Sequence, residues 1–375
     1  MKNMNERISE QLISHAVDLS RVSTDMKLRI VGFLHNLEKT LVKQLQIANL
    51  TPRATKRTKA LIVQANATIA KYYNDIAAMS SKHLQDVSQL EFDYFRKTVN
   101  TQIGLDVVNV ALTSTQLKRI ADNTLIQGAP SAEWWKLQDA NYRRKFKNEI
   151  RQGMANGESM DEIVRRIRGR ATRRHVSGYV INAEGNAVLK RFTEFKGGIT
   201  DISTRQAETL VRTSVQTVSN QARLDTMRAN SDILDGFTWL STLDTKTSVT
   251  CINLDGKSWT LENEPIGHGY PFPGPTAHWR CRSIQTSITK SWDDLGLPEL
   301  QGVEIESKRS SMDGQVSGKI NYPEWLGSQS KARQLEVLGK TKYKMYNDGS
   351  LSLSQMVDQR ANPLSIAELK RKVNG

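Results

Sequence analysis

Apolar residues recur at helical spacing through most of the first hundred residues, and this periodicity constrains the fold more than any other feature. The first run follows Ser23 and Thr24, either of which could cap its helix. It contains Ile30, Phe33, Leu34, Leu37, Leu41 and Leu45. A second run follows Pro52 and contains Leu61, Ala65, Ile69, Tyr72, Ile76, Leu84, Val87 and Tyr94. Such spacing predicts a long helix with one apolar face. Two long helices joined by a short turn predict an antiparallel pair.

The middle of the chain predicts further helices around an arginine-rich segment. One helix is expected near Leu117 and Ile120, and residues 131–168 predict a helical hairpin in which Ser159 caps the second helix. The β-branched and Gly-rich segment 176–202 predicts either a β-hairpin or an irregular insertion. Another helix is expected over residues 204–230.

Beyond Gly236 the pattern predicts short strands in the segments FTWLSTLD, KSWTL and CRSIQTSI. From Tyr322 onwards it predicts short helices again. We therefore predict an α+β fold that is predominantly helical, with long N-terminal helices followed by a compact α+β domain with a small antiparallel β-element. The predicted domains are an N-terminal helical docking region (1–128), a compact domain (129–290) and a C-terminal helical tail region (291–375).

The charge balance indicates a polyanionic partner. The chain has 53 Lys and Arg against 39 Asp and Glu, a formal net charge of +14, and each phosphate neutralised by a basic side chain releases a counterion. A soluble protein with a basic surface is the alternative interpretation. No stretch approaches the roughly 20 apolar residues of a membrane-spanning helix, and the N-terminus lacks the apolar region of an export signal. We expect no membrane association.

The densest basic segment is RRIRGRATRRH at residues 165–175. Its arginines are the candidates for DNA contact, as phosphate-positioning rather than base-reading groups. The alternative is that some of them pair with carboxylates of this chain or of a partner. No sequence-specific DNA-binding signature is present. The candidates are Arg165, Arg166, Arg168, Arg170, Arg173 and Arg174.

Cys251 and Cys281 are the two cysteines of the chain. His278 and Cys281 have an i, i+3 spacing that lets two ligands reach one zinc ion from a tight turn, and Cys251 could be a third. A closed zinc site takes four ligands, so one further side chain would have to complete it: His268, Asp255 or Asp244. We favour the interpretation that both cysteines are buried as small hydrophobic residues. A disulfide is disfavoured in a reducing cytoplasm.

An enzymatic function has little support in the sequence. Asp293 and Asp294 could bind Mg²⁺, but no second carboxylate cluster accompanies them, and a solvated helix cap is the favoured interpretation. Three histidines could act in proton transfer, but neither a nucleophile elbow nor a glycine-rich phosphate loop is present. We predict no catalytic residues and no enzymatic activity. The histidines are His175, His268 and His278.

Three stretches resemble the phage Mu F-like minor head, or head morphogenesis, family: LVRTSVQTVSNQARL, GFTWLSTLDTKTSVTCINLDGKSW and PTAHWRCR. The resemblance covers residues 130–290 and makes the predicted compact domain a Mu F-like domain. Family members often have additional cysteines where this chain has Ser248 and Ser283, which points to a core held by packing and hydrogen bonds. The resemblance implies a structural motif core of Arg212, Trp239, Asp244, Cys251, Gly256, His278, Cys281 and Arg282.

The resemblance also implies a minor capsid protein that joins the portal protein inside the head and influences DNA packaging, retention or ejection. Scaffold or major capsid protein and double-stranded DNA, bound without sequence specificity, are the further expected partners. The expected location is the capsid interior near the portal vertex, with the host cytoplasm during assembly. Two alternatives are a genome-co-ejected effector or DNA-processing enzyme (nuclease or ADP-ribosyltransferase-like) and a nucleic-acid-binding protein unrelated to virions.

Overall fold

The computed structural model describes residues 4–48, 55–182, 184–291 and 308–374. Most of the chain is helical, so the predicted α+β and predominantly helical fold is confirmed. The helices are α1 (Met4–Ala48), α2 (Thr55–Ile103), α3 (Ser114–Asn123), α4 (Ser131–Ala155), α5 (Met160–Arg168), α6 (Ile199–Ala229), α7 (Val249–Leu254), α8 (Tyr322–Gly327), α9 (Lys331–Asn347) and α10 (Ile366–Asn374).

The first helix begins earlier than the periodicity predicted. Ser23 lies inside α1, where its hydroxyl donates to the Ser20 carbonyl at 3.0 Å instead of capping a helix end. The predicted start was wrong because the apolar stripe continues towards the N-terminus through the fully buried Ile8 and Leu12. Pro52, predicted to separate the two helices, lies outside the described residues.

The predicted antiparallel pairing of α1 and α2 is confirmed by two cross-helix contacts. Gln44 Nε2 donates to Thr68 Oγ1 at 2.8 Å, and the hydroxyls of Thr40 and Tyr72 are 3.4 Å apart. The residue number falls along one helix as it rises along the other, which is the antiparallel arrangement.

The predicted helices of the middle segment are also present. The helix expected near Leu117 is α3, and α4 and α5 form the predicted hairpin. Ser159 begins α5 with a capping box, in which its side chain accepts from Glu162 N and the Glu162 side chain accepts from Ser159 N. Gly157 adopts a φ of +66° in the turn between the two helices, a backbone conformation that costs glycine little.

The strands form one four-stranded sheet and two separate hairpins. Segment 176–202 contains most of an antiparallel hairpin, so the first of its two predicted alternatives is correct. Its strands are β1 (Gly169–Ile181) and β2 (Ala187–Gly197). The four-stranded sheet has the order β5-β4-β3-β6, with all pairs antiparallel, and β7 pairs with β8. These strands are β3 (Leu234–Leu240), β4 (Ser258–Thr260), β5 (Pro265–Ile266), β6 (Ile284–Thr289), β7 (Lys308–Ser311) and β8 (Gly314–Ser317).

The four-stranded sheet carries an aromatic core. Phe237 and Trp259 face each other across β3 and β4 with ring centroids 6.0 Å apart, and Phe272 packs edge-on against Phe237 at 4.9 Å. Trp239 is fully buried beside them. A second apolar cluster joins Leu243 and Ile252 to the C-terminal helices through residues such as Tyr322 and Trp325.

Backbone contacts divide the chain into two compact units. Unit 1 comprises the described residues within 1–19, 87–120 and 216–375, and unit 2 those within 20–86 and 121–215. Each unit combines segments that are not consecutive in the sequence. The domain boundaries at 128/129 and 290/291 stay predictions. Across the described part of the chain, no helix combines the length and apolarity that crossing a bilayer would require.

Candidate functional site

The Cys/His element of unit 1 is built from α7 and from the turn that precedes β6. Ser248 is the N-cap of α7, and its Oγ accepts from Cys251 N at 3.2 Å. Cys251 therefore sits in the first turn of the helix. Cys281 follows His278 in a turn closed by a 3.1 Å hydrogen bond from Cys281 N to the His278 carbonyl. Both cysteines are buried and free of a disulfide.

The polar atoms of this element form one hydrogen-bonded group. His278 Nε2 lies 2.7 Å from Ser248 Oγ and 3.1 Å from Cys251 Sγ, and the two sulfur atoms are 3.7 Å apart. His278 Nδ1 lies 2.9 Å from the Trp279 carbonyl, which can only accept. We assign the proton to Nδ1 on that ground, so Nε2 keeps its lone pair for the Ser248 hydroxyl and the Cys251 thiol.

The two thiols differ in acidity. The hydrogen bond from Cys281 lowers the pKa of Cys251, although its burial opposes the shift. The same hydrogen bond, together with burial, raises the pKa of Cys281 well above its usual value. Cys251 is therefore the thiol that ionises first.

The same three side chains are the metal-donor candidates of this element. The donor atoms of Cys251, His278 and Cys281 all lie within 4.8 Å of one another. The side chain that completes the group is Ser248, a hydroxyl, whereas structural zinc sites take four Cys or His ligands. The donor set therefore fits a closed zinc site poorly.

The three side chains proposed to complete a zinc site are engaged elsewhere. His268 Nε2 lies 2.8 Å from the Ser258 carbonyl, and His268 Nδ1 accepts from Tyr270 N at 3.1 Å. Asp244 and Asp255 each form an ion pair with an arginine. Within the described residues, none of the three belongs to the group around Cys251.

Asp244 and Arg282, both predicted for the motif core, form a bidentate ion pair. Arg282 Nη1 and Nη2 donate to the two Asp244 carboxylate oxygens at 2.5 and 2.8 Å. Burial would raise the pKa of Asp244, but hydrogen bonding and the charge of Arg282 outweigh it and lower that pKa. Lys246 N also donates to Asp244 at 2.9 Å, which closes the loop after β3. The pair thereby joins that loop to the start of β6.

Asp255 lies at the centre of a buried network that the sequence did not reveal. Arg309 donates to both of its carboxylate oxygens, at 2.9 and 2.6 Å. Ser241 N and Tyr322 N each donate to it at 2.7 Å. With four hydrogen bonds, the carboxylate joins β3, β7 and α8. The LDG sequence at the end of a short helix predicted a turn, but it did not predict the distant partners of the Asp255 carboxylate.

Trp239 and Gly256 shape the connection between β3 and β4. Gly256 N donates to the Trp239 carbonyl at 2.8 Å, and Trp239 N donates to the Lys257 carbonyl at 2.8 Å. Gly256 has a φ of +75°, a conformation that costs side-chain-bearing residues free energy. Trp239 Nε1 donates to Ser241 Oγ at 3.2 Å, so its buried polar atom is satisfied.

A second buried network of unit 1 joins α1, α2 and α6. Arg223 and Glu91 are both fully buried, with Arg223 Nη2 2.5 Å from Glu91 Oε1. His15 Nε2 lies 3.2 Å from Glu91 Oε2, and Ser219 Oγ donates to the same oxygen at 2.6 Å. Burial alone would raise the pKa of Glu91, but the charge of Arg223 and the contacts of His15 and Ser219 lower it to about 2.

Arg212 and Arg223 lie on the same helix, but only one of them is buried. Arg212, the predicted motif residue, has a side chain 51% exposed, and it pairs with Glu208 one turn away at 3.2 Å. Arg223 also donates to the Gln285 carbonyl at 3.0 Å, which ties α6 to β6. Arg223 is therefore a buried arginine of this helix that the sequence analysis missed.

Two of the six arginines proposed for DNA contact hold the fold of unit 2. Arg166 bridges Glu149, at 3.1 Å, and Glu158. Arg168 forms an ion pair with Glu38, and its guanidinium lies 4.9 Å from the ring centre of Phe195. Burial raises the pKa of Glu38, although the Arg168 hydrogen bond opposes the shift.

The other four candidate arginines are exposed. Arg165 lies on α5, and Arg170, Arg173 and Arg174 follow on β1. Their side chains are available to a ligand in solution. His175, considered above for proton transfer, is exposed on the same strand, well separated in sequence from the Cys/His element.

Comparison with known proteins finds a family match for the region that contains most of these features. Residues 144–286 match the family model described as Phage Mu protein F like protein. The chain carries a Mu F-like region. The matched range runs from α4 to β6 and lies within the predicted limits of 130–290, so the resemblance is confirmed. No curated protein and no solved structure matched the chain.

Residues 144–286 are therefore similar to the Mu F-like proteins of phage head morphogenesis. The region includes every predicted motif residue and Arg223. It excludes Glu91 and Arg309, the partners that close the two buried networks. The Mu F-like region therefore relies on flanking segments of this chain to neutralise two of its buried charges.

Proposed function

We propose that the protein is a minor capsid protein of a tailed bacteriophage that associates with the portal protein inside the head. It acts in head assembly and in DNA packaging, retention or ejection. The observation that carries this proposal is the Mu F-like match over residues 144–286. Scaffold or major capsid protein are further partners in this proposal, and the capsid interior near the portal vertex is the site of action.

The protein acts by binding rather than by catalysis. This part of the proposal is supported by the engagement of its buried ionic groups in contacts that shape the fold. Asp244 pairs with Arg282, Asp255 with Arg309 and Glu91 with Arg223. Asp293 and Asp294, weighed earlier as Mg²⁺ ligands, lie outside the described residues.

The Cys/His element is a structural element that works without zinc. Its support is the hydroxyl of Ser248 in the position of a fourth ligand, and the hydrogen bond that Ser248 makes to His278. Elemental analysis of protein purified without chelators should return well under one zinc per chain. One zinc per chain that is lost from a Cys281→Ala variant would contradict this proposal.

Contact with DNA is part of the proposed function. The four exposed arginines at positions 165, 170, 173 and 174 support it, together with the net charge of +14. Because phosphate contacts carry no sequence information, we expect binding to duplexes of unrelated sequence with similar affinity.

Mass spectrometry of purified phage particles and of their precursor heads tests the proposal. We expect a few copies per particle and cross-links to the portal protein. Absence from both particles and precursors would overturn it. Nuclease activity or NAD consumption by the purified protein would instead support the enzyme alternative, a genome-co-ejected effector or DNA-processing enzyme.

A further inference from the structure

The β1–β2 hairpin of unit 2 is a long two-stranded ribbon. Its register runs from Gly169 opposite Gly197 to Ile181 opposite Ala187. With 11 residues in β2 and a rise of about 3.3 Å per residue, the ribbon extends roughly 35 Å. Asn182 and Asn186 close the tip, with Asn182 N donating to the Asn186 carbonyl at 2.9 Å and Asn186 N donating to Asn182 Oδ1 at 2.8 Å.

One side of the ribbon is fixed to α1. The ring of His35 stacks on Phe192 at 3.9 Å, and the guanidinium of Arg29 lies 5.3 Å from the ring centre of Tyr179. The backbones also approach closely, because a Cβ at Gly32 would lie 1.6 Å from the Tyr179 carbonyl oxygen. These contacts of both strands anchor the ribbon on α1.

Both strands of the ribbon carry exposed cationic side chains. From Gly169 to Gly197 the sequence contains six Lys or Arg and two Glu. All six basic residues are exposed, and among the described residues five of them have no carboxylate within 4.0 Å, whereas the sixth, Lys196, contacts Glu194 and Asp201. Glu194 contacts Lys196 and Thr172. The five without a nearby carboxylate are Arg170, Arg173 and Arg174 on β1 and Lys190 and Arg191 on β2.

Exposed aliphatic side chains flank the polar turn at the tip of the ribbon. Ile181, Val188 and Leu189 have exposed fractions of 64%, 37% and 52%. Ile181 and Leu189 lie on the same face, because Ile181 pairs with Ala187, two residues before Leu189, and adjoining exposed apolar side chains mark contact sites. The ribbon thus combines a cationic stem with an apolar end.

We propose that this hairpin is a DNA-binding arm. This inference rests on the proposed contact with DNA. It extends the contact surface from the arginines of β1 to β2 and to the tip of the hairpin. The major groove of duplex DNA admits a two-stranded β-ribbon. In that position, the cations of both strands contact phosphates on the two groove walls, and the tip packs against sugars and thymine methyl groups. Charge complementarity selects duplex DNA over a protein as the occupant.

Fluorescence anisotropy with the full-length protein and a 30-base-pair duplex tests the arm. The test variant is R173A/R174A/K190A/R191A. The control variant, K331A/K340A/K344A/K370A, removes the same charge from exposed lysines of α9 and α10. Affinity is measured from 50 to 300 mM salt. The thermal midpoints of both variants are measured alongside.

Each phosphate contact contributes about 0.9 to the slope of log affinity against log salt. The magnitude of this slope should therefore be smaller by up to about 3.6 for the hairpin variant, which should also bind more than tenfold more weakly at 100 mM salt. For the control variant the slope should change by less than about 1. A lysine variant, R173K/R174K/R191K, should bind nearly as the wild type because phosphate contacts need charge alone. Equal losses in the hairpin and control variants would overturn the arm, as would an unchanged slope.

Particle incorporation separates this inference from the proposed function. We expect the hairpin variant to enter particles at the wild-type level while its DNA affinity falls. Loss from particles with unchanged DNA affinity would overturn the arm and indicate a protein-docking hairpin. If the wild-type chain were absent from particles, the proposed function would fail while the anisotropy result would still decide the arm. Leu189→Ser should weaken DNA binding without changing the salt slope.

Discussion

Replacing Arg223 by methionine removes the guanidinium that neutralises the fully buried carboxylate of Glu91. Methionine keeps much of the apolar volume, so the loss of charge and of its hydrogen bonds dominates. The two groups are 132 residues apart in sequence, and their pairing holds α6 against α2. The variant therefore tests whether this network stabilises unit 1.

The magnitude follows from the acidity of Glu91. Its folded pKa is held at about 2 by Arg223 despite burial, against an ordinary value of 4.5. At about 1.4 kcal/mol per unit, this difference corresponds to roughly 3 kcal/mol of stability at neutral pH. Removal of one partner from a buried ion pair typically costs about 3–5 kcal/mol. We expect Arg223→Met to lower the free energy of unfolding by about 3–5 kcal/mol.

The dependence on pH has a defined sign. In the wild type, a depressed carboxyl pKa contributes stability that is fully present above the unfolded value of 4.5 and lost as the pH falls through about 2. In the variant, burial without Arg223 raises the pKa of Glu91. The free-energy cost of burying an unpaired carboxylate therefore disappears as the carboxyl group protonates. The difference in stability between wild type and variant should therefore narrow from pH 7 to pH 4.

Urea unfolding followed by tryptophan fluorescence measures the change, with Arg212→Met as the matched control. Arg212 lies on the same helix, but its side chain is 51% exposed, so its loss should cost less than about 1 kcal/mol. The double variant E91Q/R223M should lose less stability than the sum of the two single variants, because each single variant leaves one buried charge unpaired and the double variant leaves none. A loss for Arg223→Met no larger than that of the control would refute the reasoning, as would additive losses.

Three further changes test the site and its supporting structure, each by chemical denaturation. Asp255→Asn should cost about 3 kcal/mol, because Arg309 would remain buried without its countercharge; a loss below 1 kcal/mol would contradict the role of the network. Gly256→Ala should cost about 1–2 kcal/mol at a φ of +75°, and an unchanged midpoint would show that the turn relaxes. Ser159→Ala should cost about 1 kcal/mol through loss of the cap on Glu162 N, while Ser159→Asp should retain most of the stability.

The Cys/His element shows how far local spacing can lead. The i, i+3 relation of His278 and Cys281 predicted their proximity, and Cys251, also proposed for the group, has its sulfur atom 3.7 Å from that of Cys281. The hydrogen bond between Ser248 and His278 was not apparent, because 30 residues separate them. Closing that loop depends on β3, β4 and β6 pairing in one sheet.

Arg212 and Arg223 show where sequence reasoning stops. Eleven residues are about three helical turns, so both side chains lie on nearly the same face of α6. Helical periodicity therefore cannot tell which one is covered. The difference arises because Glu91 and Gln285 meet Arg223 from other segments, whereas the ion pair of Arg212 among the described residues is with Glu208 on its own helix.

The sequence by itself determined the long helices, the capped hairpin of α4 and α5, the helical α+β class and the Mu F-like resemblance. Each of these depends on residues close together along the chain, where periodicity, caps and turn residues act locally. Only the tertiary structure decided which charges are buried and paired. With 53 basic and 39 acidic side chains, the partner of any one of them is chosen when distant segments pack and exclude water.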